Sequence, residues 1–234
     1  MNEKISLLYV DDSRLDREIV RDALEQDGGY VLTEARSREE FERRLATDGP
    51  YALVLSDFNI LGFDGLAVLD SVRSHWRDVP VIIVTGTGSE EVAVEAMKRG
   101  AADYVLKTVP HIKRLPQTIR RVLAQNNLEV EKREAEQRQR AVLQVREAIW
   151  QMQSAEDIRR VVDAVRQGLK DLGIDFAVCG VNLVDGDKPS DVKVYNVETD
   201  GSWIEVVEAT NDLIIAMWQA GGVHYRPDVQ AGDM

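Results

Sequence analysis

The segment Tyr51-Ala-Leu-Val-Leu-Ser56 is followed directly by an acidic residue, Asp57. Its central residues are apolar at successive positions, which is typical of a strand buried on both faces of a parallel sheet. The segment Val81-Ile-Ile-Val-Thr85 has the same character and also ends on a polar residue. Both segments therefore predict buried strands with polar side chains at their carboxyl ends.

Apolar runs alternate with stretches of helical periodicity throughout residues 1–108. Further strands are predicted at Ile5–Val10, Val31–Ala35 and Asp103–Leu106. The intervening stretches predict helices at Arg14–Gln26, Arg38–Thr47, Leu66–Ser74 and Glu90–Arg99. Ser37 followed three residues later by Glu40 has the spacing of a capping box. The alternation indicates an α/β fold, with a five-stranded, parallel, doubly wound sheet and helices on both faces.

The pattern changes at Pro116, which we expect in the first turn of a long helix. Apolar residues recur at the heptad interval further along, and the seam contains Leu128, Ala135, Val142 and Ile149, with Val145 and Met152 at the other seam position. Glu131 and Arg138 occupy that other position earlier in the helix. A solvated linker and a parallel coiled coil both fit residues 116–153. We favour the coiled coil, because a polar helix has no other evident place to bury such a seam.

Residues 154–234 form a third section of mixed α+β character. Ser154 is expected to cap a helix at Ala155–Leu172. Strands are predicted at Phe176–Leu183 and Val192–Val197, followed by a helix at Asp212–Ala220.

Composition limits the partners and the compartment. The 234 residues carry a net charge of −12, which disfavours nucleic acid and anionic membranes as partners. We find no signal peptide and no apolar run near the roughly 20 residues that a membrane span needs. Cys179 is the single cysteine, so no intrachain disulfide can form. These features predict a cytoplasmic protein.

Polar side chains follow four of the predicted strands. Asp11 and Asp12 follow the first strand, and Asp57, Thr85 and Lys107 follow the third, fourth and fifth. Each has an ordinary alternative: the paired aspartates could cap a helix, and the threonine and lysine could be surface residues. Because the carboxyl ends of parallel strands share one edge of a sheet, their joint occurrence predicts a single site there.

The chemistry of such a cluster is that of phosphoryl transfer. Three carboxylates in one cleft repel each other and attract a hard divalent cation, of which Mg²⁺ fits best. Asp57 can then act as a nucleophile and form an acyl phosphate. The ammonium of Lys107 and the hydroxyl of Thr85 can each bind a phosphoryl oxygen.

Residues 1–124 resemble the CheY-like receiver domain of two-component response regulators. The matching segments are Leu7-Leu-Tyr-Val-Asp-Asp12, Asp57-Phe-Asn-Ile-Leu-Gly-Phe-Asp-Gly65, Val81-Ile-Ile-Val-Thr85 and Ala102-Asp-Tyr-Val-Leu-Lys107. Three positions depart from the family's usual pattern. Thr108 stands where a proline usually follows the lysine, Leu61 replaces a common proline, and Gly86 replaces a common alanine.

The resemblance implies a role for each site residue. Asp57 is the phosphoacceptor for a cognate histidine kinase, and Tyr104 is the aromatic residue that moves inward when Thr85 moves. Thr85 and Lys107 bind the phosphoryl group. The Mg²⁺ ligands are Asp57, Asp12 directly, Asp11 through water, and Asn59 through its main-chain carbonyl.

Residues 154–234 resemble the beginning of a GAF domain, a module that binds small molecules or proteins. The resemblance lies in Arg146–Leu172, Phe176–Asp185 and residues 217–228, and it implies a domain cut short at Met234 with an unknown small ligand. Cys179 and His224 could contact such a ligand, but we favour a buried thiol and a loop histidine.

The expected protein is a response regulator, not an enzyme in its own right. It would pass the state of Asp57 through the linker helix 116–153 of a parallel homodimer to a GAF-like module. The alternative is the regulatory half of a larger signalling enzyme, such as a histidine kinase or a cyclic-dinucleotide enzyme. An aspartate-dependent phosphatase and a DNA-binding regulator are both disfavoured, the latter because no basic recognition helix follows the receiver-like region.

Overall fold

The computed structural model describes residues 4–86, 90–154, 157–184 and 192–206, together with residues 215, 216 and 219. The chain divides into two units, Met1–Glu131 and Lys132–Met234. This division falls inside the predicted linker 116–153. Each unit is described separately below.

Strands and helices alternate along the first unit as predicted. In chain order its elements are β1 (Ile5–Val10), α1 (Arg14–Asp27), β2 (Tyr30–Ala35), α2 (Arg38–Thr47), β3 (Leu53–Asp57), the short pair β4 (Asn59–Ile60) and β5 (Phe63–Asp64), α3 (Gly65–His75), β6 (Val81–Thr85), α4 (Glu90–Lys98), β7 (Asp103–Leu106) and α5 (Val109–Trp150). The main sheet has the order β2-β1-β3-β6-β7, and every neighbouring pair is parallel. The predicted five-stranded parallel α/β fold is confirmed.

Both faces of this sheet are covered by helices. Alternate residues of a strand point to opposite faces, so Leu8 and Leu7 of β1 enter different core clusters. The cluster that contains Leu8 includes residues of α2, α3 and α4, whereas the cluster that contains Leu7 includes residues of α1 and α5. All five residues of β3 and of β6 are buried, which explains the apolar runs Leu53–Leu55 and Val81–Val84.

The start of α2 follows the capping-box expectation with one difference. The hydroxyl of Ser37 accepts a hydrogen bond from the backbone N–H of Glu40, as predicted. The carboxylate of Glu40, however, accepts from the backbone N–H of Arg36 at 2.9 Å, one residue before the cap. The pair still satisfies two donors at the helix start.

The long helix begins earlier than the sequence suggested. It starts at Val109, and Pro116 lies inside it. Pro110 occupies the first turn, where the missing N–H of proline costs nothing. Ile112 and Leu115 are buried in the core of the first unit, so packing favours the helix on the amino-terminal side of Pro116. The expectation that Pro116 begins the helix is wrong for this reason.

The predicted heptad seam of α5 is divided. Leu128, Val142 and Ile149 are exposed. Val145 and Met152, at the other seam position, instead pack against the apolar core of the second unit. That part of the seam is therefore buried by the chain itself.

The second unit contains α6 (Ile158–Asp171) and the strands β8 (Val178–Val184), β9 (Val192–Glu198) and β10 (Trp203–Val206). The strands form an antiparallel sheet of order β10-β9-β8. The predicted start at Ala155 lies outside the described residues, and the carboxylate of Asp157 accepts from the backbone N–H groups of Gln153 and Ser154. The helix begins at Ile158 with Asp157 as its N-cap residue. Ser154 is therefore not its cap.

Two further expectations for this unit need comment. The strand β10 was not predicted, because it has only four residues and one of them is a glutamate among apolar residues. The predicted helix at Asp212–Ala220 lies outside the described residues, apart from residues 215, 216 and 219. Among the described helices, none has both the length and the apolar character that crossing a bilayer requires.

Candidate functional site

Three acidic side chains meet at the carboxyl end of the parallel sheet. Asp11 and Asp12 follow β1, and Asp57 is the last residue of β3, which pairs with β1. Each of the three carboxylates offers an oxygen, and these oxygens lie within 4.8 Å of one another. The structure thus brings together the acidic cluster that the sequence predicted.

Asp11 is held from several sides and is fully buried. Its Oδ2 accepts a hydrogen bond from the hydroxyl of Tyr9 at 2.5 Å, and its Oδ1 accepts from the backbone N–H of Ser13 at 2.8 Å. Its main-chain carbonyl accepts from the guanidinium of Arg17 at 2.7 Å. A buried carboxylate with these partners is fixed in position before any ligand binds.

Lys107 supplies the positive charge of the site. Its ammonium lies 2.7 Å from Oδ2 of Asp11, 2.7 Å from Oδ2 of Asp16 and 3.2 Å from Oδ2 of Asp57. Burial acts to lower the pKa of Lys107, but the hydrogen bonds to Asp11 and Asp16 outweigh it, and the pKa is raised above its ordinary value. Lys107 therefore stays charged. No cis peptide bond occurs among the described residues, so the bond to Thr108 is trans.

The environment of Asp57 disfavours its ionised form. Burial raises the pKa of this carboxyl above its usual range, and Asp11 adds to the effect, while Lys107 opposes it. Its Oδ1 accepts a hydrogen bond from the backbone N–H of Phe58 at 2.8 Å. A carboxylate that is poorly solvated gains from pairing with a cation or from forming a covalent bond.

Asp12 differs from its two neighbours because it is exposed. Its Oδ2 accepts a hydrogen bond from the backbone N–H of Leu61 at 3.3 Å. The carboxylates of Asp11, Asp12 and Asp57 outnumber the ammonium of Lys107, so the cluster keeps an excess of negative charge. An all-oxygen donor set with such an excess, open on the side of Asp12, fits a hard divalent cation such as Mg²⁺.

The remaining predicted residues lie around this cluster. Thr85 is fully buried at the end of β6, and its carbonyl accepts from the backbone N–H of Lys107 at 2.8 Å. Asn59 is exposed in β4, two residues after Asp57. Tyr104 of β7 is half-buried and packs against the core face formed with α2, α3 and α4. Their switch and ligand roles remain predictions.

Sequence reasoning missed two side chains of the site. Tyr9 could have been found, because it precedes Asp11 by two residues and strand alternation places both on one side of the sheet. Asp16 gave a weaker signal. An acidic residue in the first turn of a helix is explained by the helix dipole alone, and nothing in its spacing indicated a contact with Lys107.

The two candidate ligand contacts of the carboxyl-terminal section receive no support. Cys179 lies half-buried in β8, and burial raises the pKa of its thiol, as expected for an inert packed cysteine. His224 lies outside the described residues.

Comparison with known proteins agrees with this geometry. The sequence profile of the response regulator receiver domain matches residues 7–120. The chain is 35% identical over 107 residues to a probable chemotaxis protein CheY from Rhizobium etli, a match that covers 45% of this chain and 82% of that protein. The chain therefore belongs to the response regulator receiver family.

Parts of longer relatives match as well. The response regulator protein FleR from Pseudomonas aeruginosa is 39% identical over 101 residues, which is 43% of this chain and 21% of FleR. The crystal structure of NtrX from Brucella abortus superposes with a TM-score of 0.52 at 29% identity, covering 58% of this chain and 30% of NtrX. The chain also spans 38% of the C4-dicarboxylate transport transcriptional regulatory protein DctD from Rhizobium meliloti. These matches support the receiver resemblance and leave the GAF-like resemblance a prediction.

Proposed function

We propose that the protein is a phosphorylation switch in which a histidine kinase partner transfers a phosphoryl group to Asp57. The observation that carries this proposal is the contact between Asp57 Oδ2 and the buried ammonium of Lys107, 3.2 Å away, within a cluster of carboxylates. Such a constellation can accept a phosphoryl group and then stabilise its charge.

The residues of this chain divide the chemistry among them. One oxygen of Asp57 attacks the phosphorus of the donor, and an O–P bond forms as the bond to the leaving group breaks, which keeps the electron pair. Lys107 pairs with one phosphoryl oxygen, and the hydroxyl of Thr85 donates to another. The product is an acyl phosphate on the chain itself and not a released product of repeated turnover, so we do not propose an enzyme.

The acidic residues would hold Mg²⁺ during this step. The proposed ligands are Asp11, Asp12 and Asp57, together with the main-chain carbonyl of Asn59. When bound, the cation offsets the negative charge of the phosphoryl oxygens. The exposed position of Asp12 supports this assignment, because a cation can reach the cluster from that side.

The state of Asp57 would be passed along α5. This helix begins at Val109, two residues after Lys107, and runs to Trp150. Its exposed residues Leu128, Val142 and Ile149 keep the heptad interval, which supports pairing in a parallel homodimer. The receptor of the signal would be the GAF-like section 154–234. The alternative, the regulatory half of a larger signalling enzyme, shares the chemistry at Asp57 and differs in what α5 controls.

A small ligand of the GAF-like section belongs to the same proposal. An open surface pocket of about 490 Å³ lies beside the end of α6 and is lined by residues that include Lys170, Phe176 and Thr199. Its size suits a small molecule.

The phosphoacceptor role is tested by incubating the full chain with acetyl phosphate and Mg²⁺. Phosphate-affinity electrophoresis should show a shifted band for the wild type and none for Asp57→Asn. The matched control is Asp70→Asn, an exposed aspartate of α3 paired with Arg99, which should be labelled like the wild type. Equal labelling of Asp57→Asn would refute the assignment.

The signalling role is tested by the oligomeric state. Light scattering with Mg²⁺ and beryllofluoride, which mimics the phosphoryl group, should show a change in dimer content. Val142→Asn should weaken the dimer, because a polar side chain replaces an exposed apolar seam residue. Gln144→Asn, a change at another exposed position of the same helix, should not. A dimer that is insensitive to Val142→Asn contradicts the seam.

A further inference from the structure

Asp16 takes part in the site although the resemblance assigns it no role. It lies in the first turn of α1, and its Oδ2 accepts a hydrogen bond from the ammonium of Lys107 at 2.7 Å. This distance equals that to Asp11 and is shorter than the 3.2 Å that separates Lys107 from Asp57. Asp16 therefore holds Lys107 at least as closely as the phosphoacceptor does.

Lys107 already has three acidic partners: it donates hydrogen bonds to Asp11 and Asp16 and forms an ion pair with Asp57. An ammonium has three protons to donate, and the three carboxylates of Asp11, Asp16 and Asp57 surround it. A phosphoryl group on Asp57 replaces the contact between Lys107 and the Asp57 carboxylate. A closer approach of the ammonium to the phosphoryl oxygens requires it to move away from Asp11 or Asp16. The lysine side chain is 8% exposed, so water cannot readily replace a lost partner there.

Asp16 is the partner that can be released most easily. Asp11 is fully buried and is also bound by Tyr9 and Ser13. The side chain of Asp16 is 30% exposed, so solvent can hydrate its carboxylate when the contact with Lys107 is lost.

We propose that Asp16 is a positioning residue that restrains Lys107 and so weakens the hold of the site on a phosphoryl group. This inference rests on the proposed function of Asp57. Asp16 acts in two ways that agree in sign: its carboxylate competes for Lys107, and its negative charge repels the phosphoryl oxygens. The same charge attracts a divalent cation, so its removal has opposite effects on the two ligands.

The test measures the two ligands separately on the full chain. Isothermal titration calorimetry gives the affinity for Mg²⁺ alone and then for beryllofluoride at saturating Mg²⁺. For Asp16→Asn we expect beryllofluoride to bind about fivefold tighter and Mg²⁺ to bind more weakly. The fivefold factor is the size expected for removing one partly exposed charge. Asp16→Glu, which keeps the charge, should move both affinities back towards the wild type.

A matched control is Asp22→Asn, the same substitution at an exposed position of the same helix. It should change neither affinity. A merely structural role of Asp16 would weaken both ligands together, and that result, or an unchanged affinity for beryllofluoride, overturns the proposal.

Labelling by acetyl phosphate separates this inference from the function on which it rests. If Asp57→Asn abolishes labelling but phosphorylated Asp16→Asn has the same lifetime as the phosphorylated wild type, only the proposed restraint of Lys107 by Asp16 is wrong. If Asp57→Asn is labelled like the wild type, the proposed function itself fails. With both proposals correct, phosphorylated Asp16→Asn outlives the phosphorylated wild type.

Discussion

In the first unit the side chains of Asp11, Asp57 and Lys107 are 0%, 10% and 8% exposed. In the second unit, the described residues that are buried are glycine and aliphatic residues, and ion pairs such as Asp163–Arg166 lie near the surface. Burying charge costs free energy that apolar packing does not. In the first unit the buried charges lie at the carboxyl edge of the parallel sheet, which is where the candidate site lies. Among its described residues, the second unit buries no charged side chain.

The largest effect we expect concerns the core that supports the charged edge. Ile83→Ala removes a fully buried side chain of β6 and should lower the free energy of unfolding by about 2–5 kcal/mol. The measurement is urea unfolding followed by circular dichroism. Val162→Ala, in the smaller core of the second unit, should cost less, since fewer methyl groups are lost. A larger loss of unfolding free energy for Val162→Ala than for Ile83→Ala would contradict this expected difference between the two cores.

Substitutions at two glycines distinguish an effect on stability from an effect on phosphorylation. A Cβ atom at Gly65 would lie 2.5 Å from the carbonyl oxygen of Asp57, and one at Gly180 would clash with the backbone of Tyr195. Alanine at either position should cost about 1–3 kcal/mol, because the backbone must shift. Only Gly65→Ala should also slow labelling by acetyl phosphate, since it displaces the phosphoacceptor. Gly49→Ala, with open space around the new methyl group, is the control.

A smaller effect is expected at Tyr9, which tests whether the buried carboxylate of Asp11 must be held in place. Tyr9→Phe removes the hydroxyl that donates to Asp11 and should cost roughly 1 kcal/mol of stability. It should also slow labelling, because Asp11 loses a partner that holds it in place. Tyr51→Phe removes a similar contact, from tyrosine to the carboxylate of Asp48, at the other end of the strands. It should leave labelling unchanged, and slower labelling of Tyr51→Phe would count against a local effect.

Much of the first unit was predictable because its strands are buried on both faces. The bounds of β1, β6 and β7 agree with the expected Ile5–Val10, Val81–Thr85 and Asp103–Leu106. Parallel topology then placed Asp11, Asp12, Asp57 and Lys107 at one edge without any knowledge of side-chain contacts. Short-range rules sufficed here because local pattern and global fold agree.

The errors arose where tertiary packing outweighs a local signal. Pro116 is a helix-start signal by itself, but Ile112 and Leu115 bury the preceding turn. Val145 and Met152 follow a heptad, but the second unit supplies its own core to cover them. Asp16 reaches Lys107 across 91 residues of sequence, a contact that no local spacing could indicate. Such contacts depend on side-chain direction in three dimensions.

The smallest change we expect is a gain of stability, at Asp57. Burial raises the pKa of this carboxyl, so the folded state binds its proton more tightly than the unfolded state does. Ionisation of Asp57 therefore destabilises the fold, and this penalty is complete above the raised pKa and absent below the ordinary one. Asparagine carries no charge, so Asp57→Asn should raise the melting temperature at neutral pH in the presence of EDTA.

The pH dependence makes this last prediction specific. The gain should shrink as the pH is lowered through the raised pKa, because the wild-type carboxyl then becomes neutral as well. Asp163→Asn provides the contrast from the second unit: its carboxylate is 48% exposed and pairs with Arg166 at 3.2 Å, so its removal should bring no gain and a loss of at most about 1 kcal/mol. A gain at Asp163 equal to that at Asp57, or a gain at Asp57 that persists unchanged at low pH, would show that buried charge is not what distinguishes the two units.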